Sequence, residues 1–412
     1  ALQAFAWIMC HAQFVLCTTK STKATKVSEN YETELRVLRG ESVFTVNPEE
    51  QKMTASKFMA SALAACVLVC ALISACEAAS LEALYAEINK LPAEARQKRL
   101  EEGARREGAF TYYSISNAEL VAAYVKGFTS RYPFIKGDFY RGSGNQLVVR
   151  TMMEHRSGRL SADVISVGTE NVMALKRSGV WTRYHTPEAP NYPRDQYDKD
   201  GYFHADSLGL AAIAYNTQLV KKEDAPKSYN DLLDPKWKNS ITIDLEPERA
   251  LLAWLSAWGE ARTRDYVQKL LANGASVRRG HTLQAQLLCA GEFKAAVEIY
   301  PDGILRMKQR GCPASIVFPN PTPAVAGGNY GINVNAPHPH AAALFIDFVL
   351  SGEGAKILSA TGRVPRRKGA RSVYEDLANL EEKGVALYVV TAEQTDLVSK
   401  AMEKIMKELL VR

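Results

Sequence analysis

From Ala109 onward the chain switches between two periodicities. Ala109 to Ser114 is a short β-rich run, whereas Leu120, Tyr124 and Phe128 recur at helical spacing. Between them, Ser114, Ser116 and Asn117 carry side-chain oxygens suited to a helix start. Tyr132-Pro133 ends the helix, and a second strand is predicted over Ile135 to Tyr140. The polar turn Arg141-Gly142-Ser143-Gly144-Asn145 then leads into an amphipathic helix over Gln146 to Gly158, with Leu147, Val148 and Met152 inward. Ala162 to Val167 reads as an apolar strand, and Gly168-Thr169-Glu170 opens a helix carrying Val172, Met173 and Leu175. Strands and helices alternating at this pace predict an α/β unit with a parallel sheet covered on both faces.

Trp181 to Tyr202 is rich in Pro, Tyr and Asp and has no period, which predicts a long irregular connection. His204 to Tyr215 returns to small and apolar residues and reads as a strand crossing out of the first unit. A second α/β unit follows, with strands at Ile241 to Leu245 and Ala295 to Tyr300 and helices at Arg249 to Gly259, Arg264 to Ala272, Leu283 to Ala290 and Ile304 to Gln309. Trp237 and Trp254 are expected in its core. Ser315 to Phe318 is a further strand, and Pro319 to Pro323 reads as a semi-rigid extended connector. Tyr330 to Asn333 is a returning strand, followed by helices at Ala341 to Ser351 and Glu353 to Thr361 and a helical C-terminal region.

The front of the chain has a different character. Residues 1–52 precede a plausible initiator, Met53, and are expected to be an extension outside the fold. In residues 53–79, Lys57, an apolar run from Phe58 to Ala75 and a cluster of small residues form the pattern of a secretory signal. Ile73-Ser74-Ala75-Cys76 resembles a bacterial lipobox, so lipid anchoring at Cys76 and ordinary cleavage after Ala78 or Ala79 are both open. Either places the mature chain in the periplasm or on the outer face of the cytoplasmic membrane. Residues 80–107 have the pattern of an N-terminal helix with a solvated, charge-paired face.

Bulk composition narrows the function. The 412 residues are 47% hydrophobic and 23% charged, enough for two domains with real cores. The net charge of +6 comes without a long Lys/Arg run, which argues against nucleic acid. Five of the seven cysteines precede residue 77, and no spacing suits zinc. Cys289 and Cys312 are the two in the body, free or paired. No nucleophile elbow, phosphate-binding P-loop, dinucleotide loop or HExxH motif is present, so an enzyme is not expected and no cofactor is implied.

Four segments carry a resemblance: DLLDPKWKNSITI, RGHTLQAQLLCAGEF, NAPHPHAAALFIDFVLSGEGAKIL and TGRVPRR. Together, and in this order, they resemble the periplasmic solute-binding proteins of ABC importers, closest to the ferric-iron-binding group. The resemblance spans roughly Gly108 to Arg367. It implies a two-lobe type II periplasmic-binding-protein fold. Each lobe would be a mixed sheet flanked by helices, with two hinge strands and a ligand held between the lobes. The expected division is 108–205 with 320–412 as lobe 1 and 206–319 as lobe 2. An ABC permease and its ATPase are the implied partners of a monomer.

Ferric-binding members commonly present two adjacent tyrosines from the second lobe. Here that place reads Glu298-Ile299-Tyr300-Pro301-Asp302, with Tyr300 and Asp302 as the available oxygens for Fe(III). The expected ligand set is Ser114, Ser116, Asn117, Ser143 and Gly144 from lobe 1 and Arg279, His281 and Tyr300 from lobe 2. Fe(III), alone or with a synergistic anion, is the first expectation. A small anionic organic ligand such as a phosphonate or carboxylate is the second, and a ligand-binding module feeding a sensor or receptor is the rival of another class. His338 and His340 are expected to belong to a helix start rather than to a metal site.

Overall fold

The computed structural model describes residues 81–411. The expected extension, signal segment and Cys76 lie outside the described residues. The described chain begins with a helix over residues 81–89 and a second, Ala93–Glu107.

The first lobe is built on a sheet in the order β2-β1-β3-β12-β4, made of β1 (Ala109–Ser114), β2 (Lys136–Arg141), β3 (Val164–Val167), β12 (Asn329–Asn333) and β4 (Trp181–Thr182). β1 pairs in parallel with β2 and β3, as the alternation predicts. β12 returns antiparallel to β3 and β4, so the sheet is mixed. Between β1 and β2 runs the helix Ala118–Arg131, started by Asn117, whose Oδ1 accepts from the Leu120 N–H at 2.8 Å. Its buried face, Leu120, Val121, Tyr124, Val125 and Phe128, meets the sheet. Phe110, Phe128 and Phe345 pack ring on ring with centroids 4.5–5.3 Å apart. Burying each such ring contributes about 1.5–3 kcal/mol, which fixes helix and strand as one body.

The second lobe has a five-stranded sheet, β10-β6-β9-β7-β8, from β6 (Ala212–Asn216), β7 (Ile241–Asp244), β8 (Ser276–Arg278), β9 (Ala295–Ile299) and β10 (Ala314–Val317). Trp237 and Trp254 are buried in its core, with Tyr229 and Tyr266 packed edge-on to Trp254. Cys289 and Cys312 are joined as a disulfide, which ties the helix His281–Cys289 to the turn before β10.

A third sheet carries the chain between the lobes: β13 (Val364–Pro365), β5 (Ser207–Leu210), β11 (Thr322–Gly327) and β14 (Leu387–Val390). β5 runs through Ala211 into β6, and β11 runs through Gly328 into β12, so two antiparallel strands cross in opposite directions. The first two residues of the second, Thr322 and Pro323, fall in the stretch expected to be an extended connector. Pro323 is accommodated in it because its carbonyl still accepts from the Ala211 N–H at 3.0 Å. The C-terminal region also departs from the helical expectation. β14 adds to this sheet, and the helix Ala392–Ile405 contributes Met402 and Ile405 to the core of the second lobe while Asp396 pairs with Arg177 of the first.

Candidate functional site

The ends of β7, β8 and β9 and the helices that follow them bring the second-lobe groups together. Tyr300 closes β9 and caps the helix Pro301–Lys308. His281 opens the helix His281–Cys289, and Arg249 lies in the first turn of the helix Glu248–Trp258. The imidazole of His281 stacks on the Tyr300 ring at 3.8 Å between centroids and 16° between planes. The Arg249 guanidinium sits 3.6 Å from the same centroid. Two groups this close to one ring must occupy opposite faces, so Tyr300 is held between an arginine and a histidine. Cations over aromatic faces are attracted by the ring quadrupole.

His281 is itself fixed by carboxylates. Its Nε2 lies 2.5 Å from Glu298 Oε2 and its Nδ1 3.4 Å from Asp244 Oδ2. Both carboxylates are fully buried, and Glu298 Oε1 has no hydrogen-bond partner. Burial opposes charge on His281, but the Glu298 and Asp244 carboxylates outweigh it and its pKa is raised. Glu298 has φ of 56°, a backbone region uncommon for a residue with a side chain.

Further carboxylates surround the stack. Burial first, and then the charges of Glu170, Glu298 and Glu246, push the Glu248 carboxyl up to about 8. Glu170, from the first lobe, is raised by burial and feels Arg249. The Tyr300 hydroxyl is raised mainly by burial, with Arg249 pulling it down and Glu298, Glu248 and Glu170 pushing it up. Among the described residues no three His, Cys, Asp or Glu side chains converge on one point.

The expected residues fall into separate groups. His281 and Tyr300 touch. Gly144 faces the first-lobe side of the cluster, where a Cβ would sit 3.8 Å from Glu170 Oε1 and 3.7 Å from Asn171 Nδ2. Ser114 and Ser116 are buried, and the Ser114 Oγ accepts from the Ser116 N–H at 3.1 Å. Asn117 spends its oxygen on the helix cap. Ser143 is exposed before the helix Gly144–Arg156 and makes no side-chain cap bond. Arg279, expected among the second-lobe ligands, is exposed and pairs with Glu246 at 3.3 Å. Asp302 is engaged by Arg306 one helical turn on, at 2.9 Å. His338 pairs with Asp163 at 3.0 Å and His340 with Glu107 at 2.6 Å, and Glu107 also accepts the N–H groups of His340 and Ala341. Both histidines anchor a helix start.

Arg249, Glu170, Glu248, Glu298 and Asp244 were not singled out from sequence. Glu170 and Glu248 sit in helix first turns, where acidic residues are favoured by the helix dipole alone. Arg249 is one position inside an otherwise apolar helix, and only the sheet order brings it across from Tyr300.

Comparison with known proteins gives this cleft its setting. Residues 161–393 match the family described as bacterial extracellular solute-binding protein. The chain belongs to that family. A protein named Iron uptake protein A1, from Synechocystis, is 25% identical over 284 residues, covering 62% of this chain and 78% of that protein. Among solved structures, iron-bound HitA from Pseudomonas aeruginosa superposes with a TM-score of 0.64 at 20% identity, covering 73% of this chain and 99% of the other. The periplasmic binding protein AfuA from Actinobacillus pleuropneumoniae, with fructose-6-phosphate bound, gives 0.63 at 22% identity, covering 74% and 99%. The fold is therefore that of the two-lobe periplasmic binding proteins, and the chain is an extracellular solute-binding protein. No helix among the described residues is long and apolar enough to cross a membrane.

Proposed function

We propose that this chain captures Fe(III) together with a small anion between its lobes and delivers it to an ABC permease and its ATPase. The observation that carries this reading is Tyr300 held between Arg249 and His281, with the carboxylates of Glu298, Glu248 and Glu170 acting on its hydroxyl. Glu170, Glu248 and Glu298 push up one another's pKa or that of Tyr300. Like charges gathered at a low-dielectric site favour a bound cation, which removes their repulsion. Phenolate and carboxylate oxygens are hard donors, suited to a hard trivalent ion.

Tyr300 with Glu248 and Glu170 would supply the protein oxygens that a second tyrosine supplies elsewhere in the group. Because fewer than three carboxylate or imidazole groups converge, oxygens of an accompanying anion would complete the coordination. Arg249, stacked on Tyr300, offsets the surplus negative charge. The iron named for the Synechocystis and Pseudomonas proteins supports this choice. A small organic anion is the second reading, supported by Arg249 and by the sugar phosphate in the Actinobacillus protein.

The test is titration of the metal-free protein with Fe(III)-citrate, in the native chain and in Tyr300→Phe and Glu248→Gln. The iron reading predicts weaker binding in both variants and loss of the phenolate charge-transfer colour in Tyr300→Phe. Iron affinity unchanged in both, with fructose-6-phosphate binding lost on Arg249→Gln, would transfer the proposal to the organic anion.

A further inference from the structure

A cavity outside the cleft lies at the far end of the helix Glu248–Trp258. Arg249, in the first turn of that helix, meets Tyr300, whereas Trp254 and Trp258, near its end, line this cavity. At 1.5 Å per residue, Trp258 is roughly 13 Å farther along the axis than Arg249, so the cavity is distinct from the ligand cleft. Its other walls include Tyr388 of β14 and the prolines Pro319 and Pro321. Its volume is about 250 Å³, just under the roughly 300 Å³ at which drug-sized pockets begin. One ring with a short polar arm fits that space.

The walls are aromatic and apolar, yet two donors in them are free. Arg262, from the helix Glu260–Ala272, lies 4.9 Å over the Trp258 ring and forms no ion pair or hydrogen bond among the described residues. Trp254 is 1% exposed, and its Nε1 has no acceptor. Among the described residues no Asp or Glu lines the cavity. The carboxylate that meets the lining residue Ser228 is Asp231, and it is fully engaged. Its Oδ2 accepts the N–H groups of Lys227 and Ser228 at 2.7 and 3.1 Å, and its Oδ1 accepts the Ser228 hydroxyl at 2.9 Å. A guanidinium without a counter-charge, at the edge of an apolar space, matches a carboxylate. Aromatic walls favour a planar ring packed offset or edge-on.

We propose that this cavity binds a small monocyclic aromatic carboxylate. The ring lies among Trp254, Trp258, Tyr388 and the prolines, the carboxylate meets Arg262, and the Trp254 N–H is the second donor. The site does not depend on what the cleft holds.

The experiment titrates the full chain with benzoate, followed by indole fluorescence and by calorimetry. The expected result is saturable binding with a change in indole emission, and at least tenfold weaker binding in Arg262→Gln. Ala257→Leu, at an exposed helix position that lines the cavity, keeps the arginine and fills the space; it should weaken binding to the same degree. Arg371→Gln, at an exposed arginine that does not line the cavity, is the control expected to bind as the native chain. Acetate has the charge without the ring, and benzyl alcohol the ring without the charge. Each should bind at least tenfold more weakly than benzoate. Native affinity in folded Arg262→Gln or Ala257→Leu, acetate or benzyl alcohol binding as tightly as benzoate, or no benzoate binding by the native chain overturns the site. Competition by Fe(III)-citrate or fructose-6-phosphate would put benzoate in the cleft and overturn it as well. Fe(III) titration of Arg262→Gln should follow the native chain, so failure of this site and failure of the iron reading are told apart.

Discussion

Gly209→Ala is a perturbation at the back of the site that removes no charged group. Gly209 is buried in β5, beneath the Arg249 guanidinium. A Cβ there would lie 2.8 Å from both Arg249 Cζ and Nε and 3.0 Å from Nη2. Those separations cannot persist, and the yielding atoms are the far end of a flexible side chain, so the guanidinium moves rather than the strand. Leaving the Tyr300 face forfeits a cation–π contact of about 0.5–2 kcal/mol. Losing the bond to the Leu210 carbonyl adds about 1.5 kcal/mol, the low end for a charged donor at a half-buried position. Ligand binding that depends on Arg249 should therefore weaken by about 2–3.5 kcal/mol, or roughly thirty- to three-hundredfold. The assay is titration with Fe(III)-citrate and separately with fructose-6-phosphate beside thermal unfolding, because a small overpacking cost of about 1–3 kcal/mol is expected in parallel. Native affinity for both in folded Gly209→Ala would refute the role given to the position of Arg249.

Three further outcomes follow from groups outside the cleft. Arg96→Ala should destabilise the protein by about 3–5 kcal/mol in urea unfolding, because it leaves Asp347, now 2.8 Å from Arg96 and largely buried, without its counter-charge; a loss below about 1 kcal/mol would contradict this. The Asp163 carboxylate raises the pKa of His338. A raised histidine pKa adds stability that is full below about pH 6.5 and fades as pH rises through the folded-state value. Replacing His338 by Asn should therefore flatten the pH profile of unfolding in that window, and an unchanged profile would show that the pair is not coupled to folding. Cys289→Ser/Cys312→Ser should cost up to about 3 kcal/mol from the loss of loop closure, and added reductant should lower the native chain to the same midpoint while leaving the variant unaffected.

Much of the scaffold was legible because its signals are local. The Asn117 cap, the helical spacing of Leu120, Tyr124 and Phe128, and the apolar run of β3 each depend on a few neighbouring residues. β11 was hidden because Pro319 to Pro323 reads as an extended linker, and only pairing with β5 and β14 shows Thr322–Gly327 to be a strand. The site was less legible than the fold. Tyr300 and His281 could be named from the segments around them, but their stacking depends on β9 and β8, the strands that precede them, flanking β7 in one sheet. Arg279 stood out as the cation by its sequence neighbours, yet the backbone after β8 sends it to the surface. Arg249 and Arg363, more than a hundred residues apart in the chain, meet at one cavity through the crossing of β5 with the elements around it. No local pattern could report that.

The central claim is that the cleft binds Fe(III) through the Tyr300 oxygen. Its most direct measurement is the visible absorption of the metal-free native chain as Fe(III)-citrate is added. The expected result is a tyrosinate-to-iron charge-transfer band that grows to an endpoint at one iron per chain and is absent in Tyr300→Phe. An iron titration with no such band, or a band of equal strength in Tyr300→Phe, would contradict it.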